Sequence, residues 1–142
     1  MALMSLKEAR AATPLFAALI ALWEARRPAT DRPPGRDGLS PAELMRYLPL
    51  LAMAERDPDG SVRLAWAGTG IKERLGGDPS GRALEDLLGP GTETAFAMIA
   101  EDGVPVGLAD GRTVGGTDVR ALLLPLAGAG GAIDAALVAV AW

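Results

Sequence analysis

Apolar side chains recur along this chain with two different periods, and the switch between them predicts most of the elements. Leu15, Phe16, Leu19, Ile20, Leu22 and Trp23 follow the three-to-four residue spacing of a helix, and Thr13 with Pro14 supplies a cap and a proline at the first helical position. The stripe is wide enough that it has to be covered, by the rest of the domain or by a second copy of the chain. The stretch PATDRPPGRDG, residues 28–38, holds three prolines and two glycines and reads as a linker or extended strap. Ser40, Pro41 and Glu43 then form a capping box that opens a short helix ending before Pro49, with Leu44, Met45 and Leu48 as its buried side.

Beyond Pro49 the period becomes that of a strand. Residues 50–56 and 61–67 flank Asp57-Pro58-Asp59-Gly60, a hairpin turn, and Val62, Leu64 and Trp66 alternate with Arg63, which predicts all three on one face. Short helices follow at 71–75, stopped by Gly76 and Gly77, and at 83–88, stopped by Gly89 and Pro90. A longer helix runs over 93–102 with Thr92 as cap, Phe96, Ile99 and Ala100 inward and Gly103 as terminator. Strands are predicted at 104–109, 118–126 and 133–142, separated by a turn at Asp110-Gly111 and a reversal at 128–131. The last two are apolar on both faces, so both sides of their sheet must be covered, one by the short helices and the other by the amino-terminal helix. If the first and last strands pair in the middle, the order gives one α+β domain over 1–142: a helix and proline-rich strap at 1–38, and a five-stranded antiparallel sheet flanked by short helices at 39–142.

Composition narrows the chemistry. The chain has 142 residues, 49% of them apolar, enough for a single sizeable core. Its net charge of −4, with the signs interspersed, argues against a nucleic-acid binder, the basic bias being confined to Arg26, Arg27, Arg32 and Arg36. There is no cysteine and no histidine. That removes disulfides, iron-sulfur clusters, thiol nucleophiles, Cys/His zinc sites and the commonest general base. The apolar run from Leu15 to Trp23 is followed by Glu24, Arg26 and Arg27 rather than a cleavage site, and falls short of the roughly 20 residues a membrane span needs. A cytoplasmic protein without membrane insertion is expected.

The motifs that suggest chemistry have plainer readings. Gly68-Thr69-Gly70 opens a helix after a strand, yet Glu73 stands where a dinucleotide loop needs its third glycine. Asp57, Asp59 and Gly60 imitate the start of a calcium loop whose later ligands are missing. Glu85 with Asp86, and Glu101 with Asp102, are sequence neighbours on helices and do not face each other. No catalytic or metal-ligating set emerges.

The element order resembles the PAS fold. The strand LAWAGTGI, the following KERLGGDPSGRALEDLL with its turn at Gly76, Gly77, Asp78, Pro79, Ser80, Gly81 and Arg82, and ALLLPLAG with Pro125 near a strand end are similar to PAS segments. Together with LWEARR, the strap and a helix ending in YLP, they resemble a bacterial branch of short stand-alone PAS proteins, from about Leu15 to Trp142. The resemblance implies a non-enzymatic sensory or interaction module in bacterial signalling. Its output would pass through an unidentified signalling protein or a homodimer formed by the amino-terminal helix, with Leu15, Phe16, Leu19, Ile20, Leu22 and Trp23 at the interface.

Members of the family hold haem, flavin, small organic molecules or nothing. Without cysteine or histidine, thiol-adduct flavin and histidine-ligated haem fall away, leaving Met98 or Tyr47 as weak haem ligands, and no cofactor is predicted. The occupant left open is a noncovalent apolar ligand between the sheet and the short helices, lined by Leu64, Trp66, Leu75, Leu87, Phe96, Ile99, Val106, Ala121 and Leu123. Each of these residues reads first as plain core, because a sheet-and-helix unit from Arg46 onward needs most of its apolar residues for its own packing. Two alternatives accompany the leading reading: a small-molecule receptor using that pocket, and a small enzyme on a cone-shaped α+β fold working through buried carboxylates.

Overall fold

Two consecutive capping sequences build the amino-terminal segment. The computed structural model describes residues 2–29 and 31–142, so Met1 and, within the strap, Thr30 lie outside the described residues. A two-residue strand, β1 (Leu3–Met4), leads into helices α1 (Leu6–Ala12) and α2 (Pro14–Ala25). Ser5 accepts a hydrogen bond from the Glu8 amide, and the Glu8 carboxylate accepts one from the Ser5 amide, both at 3.2 Å. Thr13 Oγ1 accepts from the Phe16 amide at 3.0 Å, and Pro14 occupies the first turn of α2, where no amide donor is needed. Thr13→Ala is expected to lower stability by about 1 kcal/mol in urea unfolding while the fold is retained, because it removes one cap acceptor.

The strap follows and is tied down along its second half. Pro33 and Pro34 are buried, the Ala127 amide donates to the Pro34 carbonyl at 2.9 Å, and the Arg36 amide donates to the Ala127 carbonyl at 3.3 Å. Ser40 and Glu43 form the predicted capping box, but α3 (Pro41–Leu44) is only one turn long and passes through a 3₁₀ turn at Leu48–Leu50. Leu44 is buried and Leu48 half-buried, whereas Met45 is 66% exposed, since the helix ends before Met45 can turn inward.

The remaining elements are β2 (Leu51–Arg56), β3 (Val62–Ala67), α4 (Thr69–Leu75), α5 (Leu84–Leu88), α6 (Thr92–Asp102), β4 (Val106–Arg112), β5 (Asp118–Ala127) and β6 (Ile133–Ala141). They confirm the α+β arrangement expected from the sequence, with one addition. The sheet is antiparallel, in the order β1-β4-β5-β6-β2-β3, so β2 and β6 pair in its middle and β1 adds a sixth strand beyond β4. Thr92 lies within the first turn of α6, where its hydroxyl donates to the Gly89 carbonyl at 3.1 Å, and the cap position belongs to Gly91 in the left-handed region. Ala100, expected inward, is half-buried, while Phe96 and Ile99 are buried.

The turn expected at Asp110-Gly111 lies instead inside β4. The register of β4 on β5 slips between Leu108 and Gly111, giving β4 one extra residue, and Asp110 Oδ1 accepts from the Ala2 amide at 2.7 Å, which pins β1 to the sheet. Gly111 is needed for close approach: a Cβ there would meet the Val119 carbonyl oxygen at 2.7 Å. The reversal comes later, around Gly116 at φ +88, whose amide donates to Thr113.

Because β5 and β6 are apolar on both sides, the sheet carries two separate cores. On the inner face Leu64, Ala121, Leu123 and Val138 pack with Ile71, Leu84, Leu87, Phe96 and Ile99 of the short helices. On the outer face Leu51, Leu122, Leu124, Leu137 and Ala139 pack with Phe16, Leu19, Ile20 and Trp23 of α2. The buried Trp23 indole N–H donates to the Pro125 carbonyl at 2.8 Å. Among the described residues no helix is long and apolar enough to cross a membrane.

Candidate functional site

Eight of the nine residues expected around an inner pocket are brought together, and they fill the space with one another. Leu64, Leu87, Phe96, Ala121 and Leu123 are 0% exposed, Ile99 and Val106 belong to the same buried cluster, and Leu75 packs against it. The Arg56 guanidinium lies 5.6 Å from the Phe96 ring centre and closes that end of the cluster.

Trp66 is the exception. Opposite β2, Met53 pairs with Trp66 and Ala54 pairs with Leu64, so Ala65 is an extra residue on β3. A bulge of this kind shifts the side-chain alternation by one position. Val62 and Leu64 therefore face the inner core, while Trp66 joins Met53 on the outer face, contrary to the alternation expected from the sequence. Nothing in Leu-Ala-Trp-Ala marks the bulge, since alanine is acceptable on either side of a sheet.

On the outer face the Trp66 ring lines a cleft of about 360 Å³. Met53, Leu126 and Leu137 share its floor, Leu44 and Leu48 contribute from α3 and the 3₁₀ turn, and the strap adds Arg36 and Asp37, with Leu39, Ser40 and Pro41 just beyond it completing the wall. Arg36 is held by two carboxylates, Glu55 of β2 and Asp134 of β6, and its guanidinium pKa is raised, chiefly by the hydrogen bond it donates to Glu55. Asp37 is exposed and, among the described residues, forms no hydrogen bond or ion pair.

The acidic candidates all have structural roles or face solvent. Asp57 receives Arg63 Nε at 2.9 Å, and Asp59 accepts from the Ser61 hydroxyl and amide, which holds its carboxyl below the usual range. Both carboxylates are thus used in closing the β2–β3 turn. Asp86 pairs with Arg82, and Glu85, Glu101 and Asp102 are exposed. Among the described residues no three carboxylates gather closely enough to hold a metal ion.

The six residues of the expected helical interface divide into two sets. Phe16, Leu19, Ile20 and Trp23 are spent on the chain's own sheet, each 0–1% exposed. Leu15 and Leu22 are half-buried and remain at the surface.

A family model described as "PAS domain" matches residues 12–140. Among solved structures, the fold is similar to a light-oxygen-voltage domain studied with a flavin analogue, at TM-score 0.53 and 14% identity, covering 70% of this chain and 81% of that one. It is similar to an RNA-binding light-oxygen-voltage receptor at TM-score 0.53 and 18% identity, covering 72% of this chain and 33% of that one. The light-state LOV domain of the blue-light photoreceptor Aureochrome1 matches at TM-score 0.50 and 16% identity, covering 72% of this chain and 87% of that one. At these identities the likeness is one of fold. No curated protein matches. The residues here do not fit a flavin of the thiol-adduct kind: the chain has no cysteine, and the space between sheet and short helices is taken by fully buried side chains such as Leu64, Leu87 and Phe96.

Proposed function

Because the chain belongs to the PAS domain family, a family of sensory modules, we propose that it is a non-enzymatic sensory and interaction module of bacterial signal transduction, acting through association with a second copy or a signalling partner. The observation that supports this reading is the composition of α2, PLFAALIALWEA, whose one charged residue is Glu24. A helix that is apolar around its circumference belongs in a buried setting. Its inner stripe is satisfied by the sheet, and Leu15 and Leu22 pack against the margin of the outer core while staying half-buried; with Ala18 half-buried and Ala21 and Ala25 exposed, they leave an apolar strip along the helix that the chain covers only in part. Leu15, Ala18, Leu22 and Ala25 recur at three-, four- and three-residue intervals, and the small Ala18 lets a second helix come close. A second copy presents the same stripe and pairs with it about a two-fold axis.

Size-exclusion chromatography with light scattering tests this. The wild-type chain of 14.6 kDa is expected to elute with the mass of a dimer. Leu22→Glu, which sets like charges against each other across the axis, should elute as a monomer, as should Ala21→Glu, whose exposed position spares the fold. A wild-type protein that stays monomeric up to its solubility limit would sink self-association through α2.

A further inference from the structure

We infer that the outer-face cleft at Trp66 is a binding site for a small ligand with an apolar body and a cationic head, of the alkylammonium or arylammonium class. The inference stands apart from the association of α2, which covers a different part of the same face. Three observations carry it. First, the cleft is of ligand size, about 360 Å³, and its composition is that of a small-molecule site, an apolar floor with a few polar groups at one end. Second, it is held open. The strap that forms one wall has Pro33 and Pro34 buried, is hydrogen-bonded on both sides to Ala127, and is clamped by Arg36 to Glu55 and Asp134. A wall fixed by prolines and anchored at three strands does not collapse onto the floor to bury Trp66, which stays half-exposed.

Third, the charges at the polar end select the sign of the head group. Arg36 is the cation of that end, and two carboxylates already satisfy it. Asp37 has no partner among the described residues, so the carboxylate free to meet a ligand is an acceptor of positive charge. The ring face of Trp66 adds to the same preference, because an indole attracts a cation through its quadrupole. An anionic head would meet Asp37 with nothing unspent to offset it.

The test uses the full chain with hexylammonium, hexanoate and hexanol as probes, followed by isothermal titration and by tryptophan emission, with Trp66→Phe as the spectral blank that isolates the Trp66 signal. Hexylammonium is expected to bind about fivefold more tightly than hexanoate at low salt, with hexanol between them, as befits one partly exposed charge contact. Trp66→Ala should abolish binding. Asp37→Asn, on the exposed strap where folding is not at stake, should weaken hexylammonium binding and reduce its preference over hexanoate to about twofold or less, the share left to the Trp66 ring. Equal binding of the charged probes to wild type, preference for hexanoate, or indifference of hexylammonium to Asp37→Asn would each overturn the inference. So would a Trp66 emission that ignores every probe and changes with protein concentration, which would assign the cleft to a second copy.

Discussion

Replacing Trp23 with alanine is expected to cost about 4 kcal/mol of unfolding free energy, the middle of the range for truncation of a buried aromatic. Two losses add. The ring is 1% exposed and packs in the outer core among Leu122, Leu124 and Leu137, so its removal leaves a large cavity under α2. The Pro125 carbonyl, which accepts the indole N–H at 2.8 Å, would be left buried without that partner. β4 pairs with β5 only as far as Leu123, and the strap joins β5 at Ala127, so Pro125 lies in the gap between them and the indole bridges it. Trp23→Phe separates the two losses: it keeps an aromatic ring but not the donor, and should lose about 1–2 kcal/mol. Urea unfolding followed by far-ultraviolet circular dichroism checks both variants. A Trp23→Ala protein within about 1 kcal/mol of wild type would mean that α2 contributes little to the outer core.

Gly68→Ala is expected to be nearly as damaging, about 3 kcal/mol or more, for a reason unrelated to burial. A Cβ at Gly68 would lie 1.9 Å from the Leu48 carbonyl oxygen and 2.8 Å from the Pro49 carbonyl carbon. Both are backbone atoms of a 3₁₀ turn whose proline fixes its own φ, so the obstacle cannot swing aside as a side chain would. The same turn crowds Gly70, where a Cβ would come within 2.8 Å of the Pro49 carbonyl oxygen. The Gly-Thr-Gly sequence that imitates a phosphate loop is thus explained by the crossing of two backbones. Gly77→Ala is the matched control: its Cβ would meet nothing within 4 Å, and the change should stay within about 0.5 kcal/mol. Thermal unfolding of the two variants side by side tests the contrast, and a Gly68→Ala protein as stable as Gly77→Ala would refute it.

Much of this architecture can be read from residue order because the relevant signals are local. Thr13-Pro14 and Ser40-Pro41 mark helix starts by their hydrogen-bonding chemistry, Gly76 and Gly103 mark helix ends by their left-handed backbone, and the two-sided apolar strands β5 and β6 announce covers on both faces. The amino-terminal β1 and α1 carried one such signal, the Ser5 and Glu8 capping box, but a two-residue strand has no periodicity of its own. The site was harder for a different reason. Its position depends on the single unpaired Ala65, which moves Trp66 to the other face, and a bulge is decided by the pairing of β2 with β3. Asp110-Gly111 shows the same limit, since those residues suit a turn as well as a bulged strand, and the contact with Ala2 that favours the strand is more than a hundred residues away in sequence.

The borders of the sheet bear on how such a module meets other proteins. On one side the last strand is β1, only two residues long. On the other, the Leu64 amide of β3 donates to Arg82 and its carbonyl accepts from Gly81, so a crossing segment occupies that margin at its centre. A flanking protein that recognises its target by lengthening a β-ladder would find little free backbone to join. Recognition is left to side chains, and specificity in this molecule should follow substitutions on its broad surfaces rather than at its rims.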